Sequence, residues 1–262
     1  MIYAFSPEGL ARLDAVVAAG ALLAFDIDGT LAPIVERPDD ARLPEDVQRC
    51  LALLARHRDV AIITGRAVDD ARRMLSFEPR YLIGNHGAEG LPGWRNRSHA
   101  LAQIVRQWRH ALTGSDWLRA AGVSLEDKAL SMSLHFRRAA DPVAAQRAIE
   151  RCVATLEPSP HIIPGKSVVN LLPAEAPDKG DALRALIDVT RCAGVLYVGD
   201  DDTDEAVFAL QLPGVLSVRV EPAADSAATL FLRDQREVLA LIERVARTPA
   251  ERVPSMQECR SP

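Results

Sequence analysis

Short, mostly apolar runs alternate along the chain with segments in which apolar residues recur every three or four positions. The first pattern is typical of buried strands and the second of helices with one buried face. The predicted strands are Leu22–Phe25, Val60–Ile63, Tyr81–Ile83, 195–198 and Val215–Val220. The predicted helices are 7–20, 44–58, 68–75, 179–188, 205–210 and 236–247. Strands that alternate with helices predict an α/β fold, a Rossmann-like parallel sheet with helices on both faces.

The segment between residues 91 and 175 follows a different order. Its predicted elements are a helix at 98–112, strands at 123–126 and 129–137, a helix at 142–156, and strands at 161–163 and 167–172. A helix followed by two strands, occurring twice, predicts a small α+β domain inserted into the larger one. We therefore expect a core domain made of residues 1–90 and 176–262, with an inserted domain at 91–175.

Composition narrows the class of protein. The chain has 262 residues, of which 48% are hydrophobic and 26% charged, and these values are typical of a globular protein. Its net charge of −5 argues against nucleic-acid or anionic-membrane partners. The four cysteines form no C-x-x-C pair, which fits a reducing, cytoplasmic environment. The apolar run at 15–25 is too short to span a bilayer, and the absence of a preceding basic cluster argues against a signal peptide.

Carboxylates directly follow two of the predicted strands. Asp26 and Asp28 come after the first strand, and the sequence GDDDTDE occupies residues 199–205. Residues two apart share a face of a strand, so Asp26 and Asp28 can enter one crevice, where they need a shared proton or a cation. Turns and helix starts also favour acidic residues. Five acids in six residues exceed what a helix start requires, and Mg²⁺ favours such oxygen ligands.

Two further short motifs lie at junctions between predicted elements. Thr64-Gly65-Arg66 follows the second strand, where a hydroxyl and backbone N–H groups can hold a phosphate oxygen. By itself this tripeptide is better explained as a turn and helix start. Lys179 opens a helix, and only three of the 31 basic residues are lysines. Because lysine is a compact point charge and arginine a planar fork, this scarcity suggests that lysine is needed where it occurs.

The order of these four motifs resembles that of the haloacid dehalogenase superfamily of aspartyl phosphatases and phosphotransferases, over about residues 20–90 and 176–220. This resemblance implies an α/β core of the haloacid dehalogenase type with an inserted α+β cap domain. A narrower likeness is to the trehalose-6-phosphate phosphatases. It is carried by residues 25–41, GNHGAE at 84–89, EDK at 126–128, SLHFR at 133–137, GKSVV at 165–169, DKGDA at 178–182 and YVGDD at 197–201. Lys128, Lys166 and Lys179 all fall on positions where that family uses lysine.

The likeness implies Mg²⁺-dependent hydrolysis of trehalose 6-phosphate, a step of trehalose biosynthesis, through an aspartyl-phosphate. Asp26 would be the nucleophile and Asp28 the general acid and base, with Thr64 and Lys179 holding the phosphate. The implied substrate contacts are Gly65, Arg66, His86, Glu126, Lys128, Arg137, Lys166 and Asn170. The implied metal ligands are Asp26, Asp28 through its backbone carbonyl, and Asp200, with Asp204 or Asp201 assisting. No obligatory protein partner is implied.

The chain departs from the family pattern after Lys166. The family commonly has an acidic residue at the position of Asn170 and a basic residue at that of Leu172. This departure concerns the sugar and leaves the phosphatase chemistry untouched. Three alternatives stay open: a phosphatase for another sugar phosphate or a glycosyl-phosphoglycerate, a phosphomutase, and a non-catalytic sugar-phosphate sensor. A sensor would be expected to lack parts of the catalytic set, whereas Asp26, Asp28 and Lys179 are all present.

Overall fold

The computed structural model describes residues 1–35, 37, 40–165 and 167–249. Seven strands form a large sheet in the order β1-β11-β10-β9-β2-β3-β4, and every neighbouring pair is parallel. These strands are β1 Ile2–Tyr3, β2 Leu22–Phe25, β3 Val60–Ile63, β4 Tyr81–Ile83, β9 Val195–Gly199, β10 Val215–Val220 and β11 Leu230–Leu232. The predicted α/β class is confirmed.

Helices cover both faces of the large sheet, as alternation along the buried strands requires. On β2, Leu23 and Phe25 pack on one face, while Leu22 and Ala24 pack on the other. The first face is covered by α1 Pro7–Ala18, α2 Glu45–Leu54, α3 Val68–Met74 and α9 Glu237–Arg247. The second face is covered by α7 Lys179–Thr190 and α8 Glu205–Phe208. Because β2 and β3 are buried on both sides, they are apolar along their whole length.

A small antiparallel sheet lies in the middle of the chain, with strand order β5-β6-β8-β7. Its strands are β5 Ser124–Asp127, β6 Met132–His135, β7 Pro160–Gly165 and β8 Val168–Pro173, and the helices of this segment are α4 Arg95–Thr113, α5 Asp116–Ala120 and α6 Pro142–Val153. Met132, Leu134 and Leu171 pack with Trp108 and Ile149 in a separate apolar cluster. The division into domains at residues 91 and 175 stays a prediction.

The observed elements differ from the predicted ones mainly at short or turn-like segments. β1, β11 and α5 were not expected, because two to five residues carry too little periodicity. The strand predicted at 129–137 shortens to Met132–His135. Ala129 has φ +66°, and the Lys128 N–H bonds to the Ser131 carbonyl, so residues 128–131 form a turn. Among the described residues, no helix combines the length and apolar character that a membrane span requires.

Candidate active site

The carboxyl ends of β2 and β9 meet at the centre of the large sheet. The chain runs from β2 to β4 towards one edge and from β9 to β11 towards the other, so a crevice opens where the strand order reverses. Asp26 leaves β2 there, its N–H bonded to the Val198 carbonyl at 2.9 Å. Side-chain oxygens of Asp26, Asp200 and Asp204 all lie within 4.8 Å of one another. The sequence prediction that these acids converge agrees with this geometry.

Lys179 is the cation of this cluster. It stands in the first turn of α7, whose start is fixed by a capping box between Asp178 and Asp181. Its Nζ lies 3.0 Å from Asp26 Oδ2 and 2.8 Å from Asp204 Oδ1, and its side chain is only 2% exposed. Burial opposes the charge, but Asp204 and Asp26 outweigh it and raise the pKa of Lys179 well above its ordinary value. The two carboxylates therefore favour the charged form of the lysine beside Asp26.

Asp204 organises the loop after β9. Its Oδ1 accepts from Lys179 and from the Tyr197 hydroxyl at 2.6 Å, while its Oδ2 accepts from the N–H groups of Asp200 and Asp201 at 2.9 and 3.1 Å. A carboxylate has about four acceptor positions, so these four donors satisfy it. Gly199 has to be glycine, since a Cβ there would lie 2.3 Å from the Asp204 carboxyl carbon.

Unlike Asp204, Asp26 and Asp200 have oxygen acceptor positions that no donor among the described residues occupies. Asp200 accepts one hydrogen bond from Thr30 Oγ1 at 3.2 Å. Asp26 Oδ1 is buried and has no hydrogen-bond partner among the described residues. Burial, reinforced by Asp204 and Asp201, raises the pKa of Asp200 to about 8. Burial also raises the pKa of Asp26 well above its usual value, despite Lys179. One lysine does not neutralise the three carboxylates of this cluster.

Thr64, Gly65 and His86 form one wall of the crevice. Thr64 follows β3, is fully buried, and accepts the Arg66 N–H at 3.3 Å. His86 lies in a short 3₁₀ turn with φ 56°, and its ring covers Gly65, where a Cβ would come within 2.5 Å of Cε1. Burial, with Lys179 and Lys128 nearby, lowers the pKa of His86 to about 3, so the imidazole is neutral. Its buried Nδ1 has no partner among the residues described.

Arg66 is directed at Asp28. Its Nε and Nη2 each lie 2.7 Å from an oxygen of that carboxylate, and its Nη1 lies 2.9 Å from Asp70 Oδ2. Burial opposes the charge of Arg66, but the two carboxylates outweigh it and raise its pKa further. Arg66 was expected to contact the substrate; the structure places it in an ion pair with Asp28.

The small sheet presents polar side chains near this wall. The Glu126 carboxylate accepts a hydrogen bond from His135 Nε2 at 2.7 Å, and this bond lowers the pKa of Glu126. Burial lowers the pKa of Lys128, whose ammonium lies 3.9 Å from Glu126. Asn85 joins the two sheets, accepting from Ser131 Oγ at 2.6 Å and donating to the Lys128 carbonyl at 3.1 Å.

The remaining expected substrate contacts are more dispersed. Asn170 Oδ1 accepts from Ser133 Oγ at 2.7 Å, and its Nδ2 donates to the Ile163 carbonyl at 3.4 Å. Arg137 Nη1 donates to the Val35 carbonyl at 3.2 Å, reaching the loop after β2. Lys166 lies outside the described residues.

Three residues of the site were missed by sequence reasoning: Tyr197, Asn85 and Asp70. Tyr197 gave a usable signal, since a phenol inside a buried aliphatic strand needs a hydrogen-bond partner. Asn85 and Asp70 gave none, because polar residues in a turn and at a helix start are common without a special role.

The sheet order, the placement of acids at its centre and the buried lysine define an α/β fold of the haloacid dehalogenase type. A family model described as trehalose-phosphatase matches residues 24–235. The chain therefore belongs to the trehalose-phosphatase family and is a phosphoric monoester hydrolase.

Individual relatives agree with this assignment. A probable trehalose-phosphate phosphatase of Sinorhizobium fredii is 33% identical over 217 residues, which are 79% of this chain and 80% of that protein. Trehalose 6-phosphate phosphatase RA3 of Zea mays is 28% identical over 95% of this chain and 77% of its own length. The C-terminal domain of the C. albicans trehalose-6-phosphate phosphatase shares the fold, with a TM-score of 0.67, 22% identity, and coverage of 90% of this chain and 96% of that domain.

Proposed function

We propose that this chain hydrolyses trehalose 6-phosphate to trehalose and inorganic phosphate with Mg²⁺ as cofactor. The observation that carries the proposal is the buried carboxylate of Asp26. Lys179 holds one of its oxygens, and the other has no hydrogen-bond partner in the described part of the chain. It stands at the point of the parallel sheet where ligands bind. The names of the relatives, trehalose-phosphate phosphatases, supply the substrate.

The donor set fits a magnesium ion. Asp26, Asp200 and the backbone carbonyl of Asp28 would hold it, and these are the hard oxygen ligands that Mg²⁺ prefers. Three carboxylates and the Lys179 ammonium sum to two negative charges, which one divalent cation neutralises. When bound, the ion reduces the repulsion between the carboxylate and the incoming phosphate. Asp204 would support the site by fixing the 199–204 loop, since its own oxygens are already occupied.

The reaction would proceed in two displacements at phosphorus. An oxygen of Asp26 forms a bond to phosphorus while the bond to the sugar oxygen breaks, giving an aspartyl-phosphate. The sugar oxygen takes a proton from Asp28, which becomes a carboxylate. Water then attacks phosphorus and gives its proton to Asp28, and this step restores Asp26 and releases inorganic phosphate. Thr64 and Lys179 would hold the other phosphate oxygens, and phosphoryl transfer depends mainly on such positioning.

The sugar would be bound between Gly65, Arg66 and His86 on the large-sheet side and Glu126, Lys128, Arg137, Lys166 and Asn170 on the other. A site of this kind rejects analogues that leave its polar groups unpaired. Residues 91–175 would act as a cap that closes over the substrate and excludes water. Closure of this cap and a cytoplasmic location remain predictions.

One observation favours a second candidate, a phosphatase for a different sugar phosphate. Leu172 occupies a position where the family commonly has a basic residue, and it is only 2% exposed. It therefore offers no polar group to a sugar. Asn170 lies two residues earlier in β8, on the same face of the strand. It carries no charge and already bonds to Ser133.

Phosphate release from trehalose 6-phosphate, compared with a panel of sugar phosphates with and without Mg²⁺, tests the proposal. We expect Mg²⁺-dependent release from trehalose 6-phosphate, abolished by Asp26→Asn and retained by Asp225→Asn, which changes an exposed carboxylate in the loop after β10. Release from another sugar phosphate alone would support the second candidate. An isomerised sugar phosphate without free phosphate would identify a mutase, and inactivity towards every substrate would favour a sensor.

A further inference from the structure

Asp28 and Arg66 form an ion pair in which the arginine is buried and the aspartate is accessible. The Arg66 side chain is 9% exposed, whereas the Asp28 side chain is 41% exposed and opens towards the crevice. Both contacts are 2.7 Å long, the parallel two-bond geometry that fixes the plane of a carboxylate. The guanidinium uses one lone pair on each oxygen of Asp28, so each oxygen keeps a second lone pair, which can carry the proton of the general acid. The pair therefore orients Asp28 without covering it.

Asp70 holds the arginine in turn. Its Oδ2 lies 2.9 Å from Arg66 Nη1, and its Oδ1 lies 3.0 Å from Arg73 Nη2 on the outer side of α3. Arg66 thus stands between two carboxylates, one in the crevice and one on a helix that packs against the large sheet. Rotation of its guanidinium would break contacts on both sides.

We infer that Asp70 and Arg66 are positioning residues for Asp28, and that this is the main role of Arg66, ahead of binding the substrate. The inference rests on the proposed function, because it concerns the residue proposed to protonate the sugar oxygen. General acid catalysis requires the acid to lie within hydrogen-bond reach of the leaving oxygen. Side chains that lock the reacting group in place maintain such geometry.

This role predicts a dependence on the leaving group. A sugar alkoxide is a poor leaving group and needs a proton, whereas p-nitrophenolate leaves without one. Misplacing Asp28 should therefore slow phosphoryl transfer from a sugar phosphate much more than transfer from p-nitrophenyl phosphate. The ratio kcat/KM is the appropriate quantity, since it reports the steps up to release of the first product and excludes hydrolysis of the aspartyl-phosphate.

The experiment compares Asp70→Asn with Asp69→Asn, a matched change at the adjacent, largely exposed position of α3. For Asp70→Asn we expect kcat/KM for trehalose 6-phosphate to fall at least about tenfold, a part of the roughly hundredfold or more that acid catalysis contributes. For p-nitrophenyl phosphate we expect a fall of no more than about twofold, because that leaving group does not require the acid. Asp69→Asn should leave both values within about twofold, as exposed ion pairs contribute little. Arg66→Lys, which keeps the charge but loses the two-bond geometry, should show the same selective loss as Asp70→Asn.

Equal losses on the two substrates would overturn the inference, because they would indicate that Arg66 binds the phosphate that both share. A weakening of product inhibition by trehalose as large as the loss in kcat/KM would also overturn it, because it would indicate that Arg66 binds the sugar. Identical behaviour of Asp70→Asn and Asp69→Asn would also overturn it. Thermal unfolding of each variant separates a loss of fold from a loss of positioning. Failure of the proposed function is visible independently, as absence of phosphate release from sugar phosphates by the unaltered chain.

Discussion

The hydroxyl of Tyr197 can be removed while the rest of the site stays in place. The Tyr197→Phe change keeps the ring, which packs edge-on against Phe208 at 6.0 Å between centroids. It deletes only the 2.6 Å hydrogen bond from the hydroxyl to Asp204 Oδ1. Asp204 then retains Lys179 and two backbone N–H groups as donors.

The expected cost follows from the burial of both partners. Tyr197 and Asp204 are fully inaccessible, so no water replaces the lost donor. A hydrogen bond to a charged group contributes about 1.5–3 kcal/mol, and we expect the free energy of unfolding to fall by that amount. For a chain of this size the corresponding decrease in Tm is about 3–12 °C. The Lys179 contact keeps the loss below that of an isolated buried charge.

Urea unfolding in EDTA measures this change without a contribution from metal binding. The midpoint should fall while the slope stays constant, since the surface exposed on unfolding is unchanged. Tyr81→Phe is the matched control, because the Tyr81 hydroxyl forms a single hydrogen bond within the described residues, a 3.3 Å contact with Arg80 at the surface. Its effect should stay within about 0.5 kcal/mol. A Tyr197→Phe variant as stable as the control would refute the view that Asp204 depends on these buried donors.

Three further predictions address the metal, the glycine beside it and the neutral histidine. Mg²⁺ at a hundred times its Kd should stabilise the protein by about 2.7 kcal/mol, and Asp200→Asn should remove this gain. In EDTA at pH 7 the same change should stabilise the protein, because it removes a carboxyl group whose pKa burial raises to about 8. Gly29→Ala should lower Mg²⁺-dependent activity about 10–100-fold, since its Cβ would lie 1.9 Å from Asp200 Oδ2. In urea titrations, the free energy of unfolding of the unaltered protein should fall between pH 6.5 and 4, and in His86→Gln it should fall less. The unfolded histidine binds a proton there, whereas the folded one, with a pKa of about 3, does not, and the slope contribution reaches about 1.4 kcal/mol per pH unit.

Each of these has a control and an outcome against it. Gly20→Ala has the same backbone strain at φ +83° but open space around its Cβ, so equal activity losses at Gly20 and Gly29 would contradict the clash with Asp200. A Tm that does not change when Mg²⁺ is added would contradict a cation site among these acids. For the pH dependence, exposed His57→Gln is the control, and an unchanged slope in His86→Gln would assign the acid sensitivity to other groups.

The sequence predicted the large sheet well because its central strands are buried on both faces. Leu22–Phe25 and Val60–Ile63 have no polar position, and their bounds agree with the structure. The edge strands β1 and β11 were missed because two or three residues cannot establish a period. The convergence of Asp26 and Asp200 was also predictable, since carboxyl ends of parallel strands meet at one edge of a sheet.

The pairing of long side chains in the site was not predictable in the same way. An arginine side chain can reach a carboxylate on any neighbouring element, so its partner depends on how the strands and helices pack. Arg66 follows Thr64 and Gly65 at a strand end, a position equally suitable for a phosphate ligand and for a partner of Asp28. What decides between them is Asp70, one helical turn further on, because it holds the guanidinium from the side away from the crevice. The leaving-group experiment therefore tests a pairing that depends on the packed structure. What it measures is proton transfer from Asp28, and the position of Arg66 is inferred from that.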